Sequence, residues 1–177
     1  MIATLSASHA LVLAVFAGIL LAAAYGDVRR LLIPNRFPLA LVLLYPAYLL
    51  TAPTPVQPLL SLAIALGFFC AGAGLFAAGL MGGGDVKLLA AVALWVEPPH
   101  ALEFLLLTTL AGAVIGLALL TPQGTHVEAM VQDVGAGWKG AGDDGTTKRR
   151  RVMPYGVAIA AAGLIVVLRL FTLMPAA

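Results

Sequence analysis

Six apolar segments divide this chain, and they constrain its fold more than any other feature. They cover roughly residues 8–25, 37–50, 58–80, 86–96, 101–120 and 154–173. A helix needs about 20 apolar residues to cross a bilayer, so the second segment is short and the fourth is very short. A re-entrant fourth segment would leave four or five spans. We favour six, because the charges in the loops agree with that number.

The composition is that of an integral membrane protein. Of its 177 residues, 62% are hydrophobic and 10% are charged, whereas a soluble domain carries about a quarter charged residues. The sequence therefore predicts an all-α polytopic membrane bundle of about six transmembrane helices, forming one domain over residues 1–177. Residues 1–10 contain no lysine or arginine, so we interpret the first segment as a retained span rather than a signal peptide.

Composition also excludes several classes of partner and site. No pattern of basic and aromatic residues typical of nucleic-acid binding is present, so the lipid bilayer is the expected surrounding. The single cysteine, Cys70, excludes an internal disulfide framework and a cysteine-rich zinc site. The three histidines are scattered without ligand spacing, so no metal and no cofactor is expected.

Positive charges alternate between the loops. The first loop carries Arg29, Arg30 and Arg36, the third carries Lys87, and the fifth carries five basic residues, whereas loops 51–57 and 97–100 carry none. The positive-inside rule places loops one, three and five in the cytoplasm. The expected location is the inner (cytoplasmic) membrane. Residues 121–153, rich in glycine and charge, are predicted to form a polar cytoplasmic loop.

Charged residues also border the segments at the opposite face. Arg169 lies near the far end of the last segment, where its side chain can reach the interface. Glu97 and Glu103 flank the fourth loop, and we interpret them as solvated interfacial carboxylates.

Two aspartates border the apolar segments on the cytoplasmic side. Asp27 closes the first segment, and Asp85 opens the fourth. An ionisable residue at membrane depth is costly and is a functional-site hypothesis by default. Two carboxyl groups held close together can share one proton and activate water. Taken alone, Asp27 could instead pair with Arg29 or Arg30.

Both aspartates lie in distinctive local sequences. In Gly82-Gly83-Gly84-Asp85, the glycines permit a tight turn or the close approach of an extended peptide, or they form a hinge with Asp85 as a helix N-cap. The three glycines and Lys87 are candidate substrate-binding residues. Lys87 could also pair with Asp85 or anchor the loop at the membrane surface. In the first loop, Pro34 restricts the backbone, and Asn35 can cap the second helix.

Together these motifs resemble those of the type IV prepilin peptidases, membrane aspartic proteases with a GxGD motif. Gly82-x-Gly84-Asp85 matches that motif, and Asp27 followed by Ile33-Pro34-Asn35 is similar to the family's first aspartate region. Met153-Pro154-Tyr155-Gly156 resembles the element that opens the last helix. The resemblance implies that Asp27 and Asp85 are the catalytic pair. It also implies a prepilin-like membrane protein as the substrate, cut at the cytoplasmic face to remove its leader.

The resemblance is to the short form of the family. Larger members carry a cytoplasmic tetracysteine zinc site associated with N-methylation, and this chain has one cysteine, so N-methyltransferase activity is unsupported. The chain is similar to the peptidases of Flp-type (tight adherence) pili, and archaeal preflagellin peptidases remain an alternative. Other classes are a small ion-coupled transporter and a non-catalytic scaffold of a secretion system. A transporter usually places its acidic residues near the midplane, often in inverted repeats, and no repeat is visible here.

Overall fold

The computed structural model describes residues 2–30, 32–119 and 155–172, and every regular element within these ranges is helical. The predicted polar loop at 121–153 lies outside them. The prediction of an all-α bundle is confirmed. The described elements are α1 (Ile2–Arg30), α2 (Arg36–Thr51), α3 (Pro58–Ala77), α4 (Gly83–Ala93), a 3₁₀ turn (Pro98–His100), α5 (Ala101–Leu119) and α6 (Tyr155–Thr172).

The helices differ in whether they are long enough to cross a bilayer. Four stretches are long and apolar enough, namely Ala7–Arg29, Pro58–Ala77, Pro98–Ala118 and Tyr155–Thr172. α2 has 16 residues and α4 has 11. At about 1.5 Å per residue, α4 is roughly half as long as the hydrocarbon core is thick. The protein is thus a multi-pass membrane bundle, and α4 is shorter than a span.

The short helix α4 lies inside the bundle. It packs against α2, α3 and α6, while α1 packs against α2 and α6, and α5 packs against α6. Most of α4 is buried, whereas α3 buries few of its side chains. An apolar surface such as that of α3 suits contact with lipid. Side chains on α4 are therefore surrounded mainly by protein.

An aromatic cluster holds the carboxyl end of α4 in place. The buried Trp95 ring lies 4.3 Å from the Phe16 ring and 5.0 Å from the Tyr48 ring, centroid to centroid. Its indole Nε1 donates a hydrogen bond of 3.2 Å to the Leu41 carbonyl oxygen. These contacts join the carboxyl end of α4 to α1 and α2.

Several helix boundaries differ from the predicted segments. α1 begins at Ile2 rather than at residue 8, and α4 covers Gly83–Ala93 rather than 86–96, so Asp85 lies inside the helix. α1 continues to Arg30, so Asp27 lies within its last turn instead of closing the helix. α3 ends at Ala77 rather than at Leu80, because Gly79 adopts a φ of 75°. Leu80 then donates its backbone N–H to the Leu75 carbonyl over 2.9 Å, as in a glycine-terminated helix end. This turn leads the chain directly to Gly82.

Charged side chains meet at the opposite end of the bundle. The Arg169 guanidinium on α6 pairs with the Glu103 carboxylate on α5, and its Nη1 lies 2.9 Å from His100 Nδ1. Glu103 is 40% exposed, in keeping with its interpretation as a solvated interfacial carboxylate, and it also forms an ion pair. A pair this exposed contributes little to stability.

Candidate active site

Asp27 faces the start of the last helix. It is 3% exposed, and the backbone amides of Gly156 and Val157 are directed at its carboxyl group. The amino end of a helix favours a negative charge. Within the described residues, its Oδ2 atom is buried without a hydrogen bond of normal geometry.

The alternative pairing of Asp27 with Arg29 is wrong. The Arg29 guanidinium lies over the Tyr25 ring, 4.7 Å from its centroid. No ion pair of Asp27 is present within the described residues. The Arg30 side chain lies outside them. Asp27 is therefore a buried carboxyl group whose described contacts are backbone amides rather than a cation.

Asp85 lies in the first turn of α4 and is 7% exposed. It does not occupy the N-cap position, which belongs to Gly82, so the N-cap hypothesis is wrong. Its Oδ2 instead accepts the backbone N–H of Gly82 over 3.2 Å, as the third helical residue does in a capping box. The Gly156 backbone also contacts the Asp85 carboxyl group.

The two aspartates interact electrostatically. Asp85 lies on α4, which is not one of the four stretches long enough to span the membrane. Burial, and to a smaller extent the Asp27 carboxylate, raises the pKa of the Asp85 carboxyl group to about 7. Both causes disfavour a second negative charge. The pair can therefore retain one proton near neutral pH, which is the protonation state that acid–base hydrolysis needs.

The three glycines before Asp85 are not equivalent. A Cβ atom on Gly82 would lie 2.7 Å from Asp85 Oδ2, and one on Gly84 would lie 2.9 Å from the Ile33 carbonyl oxygen. A Cβ on Gly83 would lie 3.4 Å from the Phe76 ring, an ordinary contact. Packing against main-chain atoms thus favours glycine strongly at Gly84, whereas a side chain at Gly82 would displace the Asp85 carboxyl group and one at Gly83 is tolerated.

Lys87 and Asn35 connect the first loop to α4. Lys87 Nζ donates a hydrogen bond of 2.9 Å to Asn35 Oδ1. Asn35 occupies the predicted N-cap position of α2, but its side chain makes no cap hydrogen bond there. Lys87 forms no ion pair with Asp85 within the described residues. Its contact with substrate stays a prediction.

The sequence pattern of the type IV leader peptidase family matches residues 14–117. The chain belongs to this family. No curated protein and no solved structure matches it significantly. Family membership supports a peptidase acting on leader sequences, in keeping with the resemblance noted from the motifs.

The family match covers both aspartates of this leader peptidase and the glycine run, but it ends before α6. Gly156, on α6, was not among the candidate site residues predicted from sequence. A Cβ atom there would lie 2.7 Å from Asp27 Oδ2 and 2.6 Å from Ile33 Cδ1. The available signal was the Tyr155-Gly156 pair at the start of the last apolar segment. Its importance depends on a tertiary contact.

Within residues 2–30, 32–119 and 155–172, no group of three or more His, Cys, Asp or Glu side chains is arranged to hold a metal ion. The buried acidic groups at this site are Asp27 and Asp85. Among the described residues, these two carboxyl groups are the buried acid–base groups at this end of the bundle.

Replacing Asn35 with alanine tests the link between the first loop and α4. We expect the free energy of unfolding to fall by about 0.5–1 kcal/mol, since an exposed hydrogen bond contributes little. Asn35→Asp keeps an acceptor for Lys87 Nζ and should retain wild-type stability. Thermal unfolding of the leader peptidase in detergent measures both. Equal losses in the two variants would argue against this hydrogen bond.

Proposed function

We propose that this leader peptidase is an aspartic endopeptidase that removes the leader of a prepilin-like, Flp-type membrane protein at the cytoplasmic face of the inner membrane. Asp27 and Asp85 are its proposed catalytic pair. The observation that carries the proposal is that these two buried carboxyl groups, from α1 and α4, interact and share the Gly156 backbone as a neighbour.

The proposed chemistry uses one proton shared by the pair. The ionised carboxylate removes a proton from water, while the protonated carboxyl group donates a hydrogen bond to the scissile carbonyl oxygen. Water oxygen bonds to the carbonyl carbon, and the resulting tetrahedral intermediate expels the amine after the amine accepts a proton. Because coupled groups titrate as a pair, the roles of base and acid are left unassigned between Asp27 and Asp85.

The arrangement of the proposed site suits a peptide that approaches from one membrane face. Asp27 lies in the last turn of α1, Asp85 lies in the first turn of α4, and Gly156 lies in the first turn of α6. The basic residues of the first and third loops lie near these helix ends, which supports the cytoplasmic assignment. The substrate's junction would lie extended along Gly82–Gly84, with its apolar helix in the bilayer.

A transporter is the strongest alternative from another class. It would need acidic ion ligands within a path through the membrane, usually close to the midplane. Asp27 and Asp85 lie instead at helix ends, and family membership supports a peptidase. A non-catalytic scaffold would need no pair of buried carboxyl groups.

The rate of leader cleavage is expected to fall as the pH rises through about 7, the raised pKa of the Asp85 carboxyl group. The active pair holds one proton. That proton is lost above the upper pKa of the pair, so kcat/KM should fall about tenfold per pH unit. Assays of the purified peptidase between pH 5 and 9, with circular dichroism as the control for folding, measure this limb. A rate that still rises to pH 9 would contradict the shared proton.

Co-expression with a candidate Flp-type prepilin tests the proposed function. We expect the substrate's mass to fall by that of its leader when the wild-type chain is present, and to stay full-length with an empty vector. A soluble variant of the substrate that lacks its membrane helix should be cut more slowly. Cleavage with the empty vector would assign the activity to a host protease, and no cleavage of several prepilins would reject the proposal.

A further inference from the structure

Ile33 lies where three helices of the site meet. It belongs to the loop between α1 and α2 and is 6% exposed. Its carbonyl oxygen packs against Gly84 at the start of α4, at 2.9 Å from the position a Cβ would take. Its Cδ1 packs against Gly156 at the start of α6, at 2.6 Å from the corresponding position. One residue thus touches both helix ends that flank the carboxyl groups.

The same position on Gly156 lies 2.7 Å from Asp27 Oδ2. Ile33 and Asp27 therefore pack against the same side of Gly156. On α4, Asp85 directly follows Gly84, which Ile33 also contacts. A shift of Ile33 would move Gly84 and Gly156 relative to each other, and with them the two carboxyl groups. Close-packed interiors transmit such shifts because they contain few voids.

We infer that Ile33 is a positioning residue of the leader peptidase, a wedge between α4 and α6 that sets the separation of the Asp27 and Asp85 carboxyl groups. Its effect on rate rests on the proposed function. Its effect on geometry does not. Pro34 restricts the backbone that follows Ile33. The hydrogen bond from Lys87 to Asn35 connects the same loop to α4.

Graded truncation of Ile33 tests the kinetic effect. Ile33→Val removes the Cδ1 methyl group that faces Gly156, and it should lower kcat severalfold. Ile33→Ala should lower kcat by about 100-fold, the cost of displacing catalytic groups by about 1 Å. KM should change by less than about twofold, because the wedge does not contact substrate. The alkaline limb of the pH profile should move to higher pH, since carboxyl groups that lie closer together raise each other's pKa more.

Leu32→Ala is the matched control. Leu32 precedes Ile33 in the same loop but is 62% exposed, so its truncation should leave kcat and the pH profile unchanged. If Ile33→Ala fails to fold, Ile33→Val carries the test, with size-exclusion chromatography and circular dichroism as folding controls. A folded Ile33→Val variant with wild-type kcat, KM and pH profile overturns the inference.

A cross-linking measurement separates the wedge from the proposed function. Asp27→Cys and Asp85→Cys are combined in a Cys70→Ser background, and bifunctional thiol reagents of graded length are applied. We expect cross-linking to be most efficient at one reagent length, and Ile33→Ala to shift that optimum to shorter reagents, because α4 and α6 can close on the space left by the truncated side chain. That shift in a chain whose wild type cuts no prepilin would support the wedge while the peptidase proposal fails. An unchanged optimum would overturn the wedge even if cleavage is observed.

Discussion

Replacing either Asp27 or Asp85 with asparagine is expected to lower the rate of leader cleavage by at least about 10³-fold, within the range that general acid–base catalysis supplies. An amide neither removes a proton from water nor shares one with the opposite carboxyl group. The double variant should be little slower than either single variant, because residues that act as a unit lose their effect together. Quantitative mass spectrometry of a purified prepilin, in time courses with each variant, measures this loss.

Glu97→Gln is the matched control for these variants. Glu97 is also an acidic residue at a helix boundary, but it lies at the opposite end of the bundle beside His100. Its neutralisation should leave the rate unchanged. The aspartate variants should stay folded, because asparagine has the same shape and a neutral group costs less to bury. Wild-type turnover in folded Asp27→Asn would remove the support for a catalytic pair.

Adding one methyl group at Gly84 is expected to cost about 1–3 kcal/mol of stability, as overpacking does, and to lower cleavage by about 10²-fold through misplacement of Asp85. The Cβ of Gly84→Ala would meet the Ile33 carbonyl oxygen at 2.9 Å. Main-chain atoms cannot rotate away as the end of a flexible side chain can. The strain must therefore move α4 or the first loop.

Gly83→Ala supplies the comparison, because it adds the same methyl group one residue earlier. There the new atom would meet the Phe76 ring at an ordinary 3.4 Å, and alanine favours the first turn of a helix more than glycine does. This variant should cleave at the wild-type rate and be at least as stable. Thermal unfolding and cleavage assays compare the stability and the cleavage rate of Gly84→Ala with those of Gly83→Ala. Equal activity in both would contradict the packing at Gly84.

Much of the fold follows from local properties of the chain. Apolar segments long enough to enter a bilayer predict the helices, and proline at position 58 begins α3 where expected. Because a carboxyl group is costly to bury, the sequence predicted a functional role for Asp27 and Asp85 at the membrane boundary. Both are buried in the structure. These features depend on nearby residues and on the surrounding bilayer, so the local sequence pattern is enough to predict them.

Other features depend on contacts between distant parts of the chain, which no local pattern contains. Asn35 could cap α2, yet its oxygen accepts a hydrogen bond from Lys87, 52 residues away in sequence. Ile33 looks like an ordinary loop hydrophobe until it is seen between Gly84 and Gly156. Tertiary packing therefore decides which glycine in a run is indispensable, and which loop residue supports the site.

The contact of both carboxyl groups with α6 also has a consequence for biosynthesis. Asp27 and Asp85 are translated before α5, whereas the Gly156 backbone beside them is translated after it. A nascent chain that has inserted only α1 to α5 possesses both acidic residues without the amides that orient them. Under the proposed function, the chain would thus become competent to cleave only when α6 enters the membrane and brings the Gly156 backbone beside the two carboxyl groups.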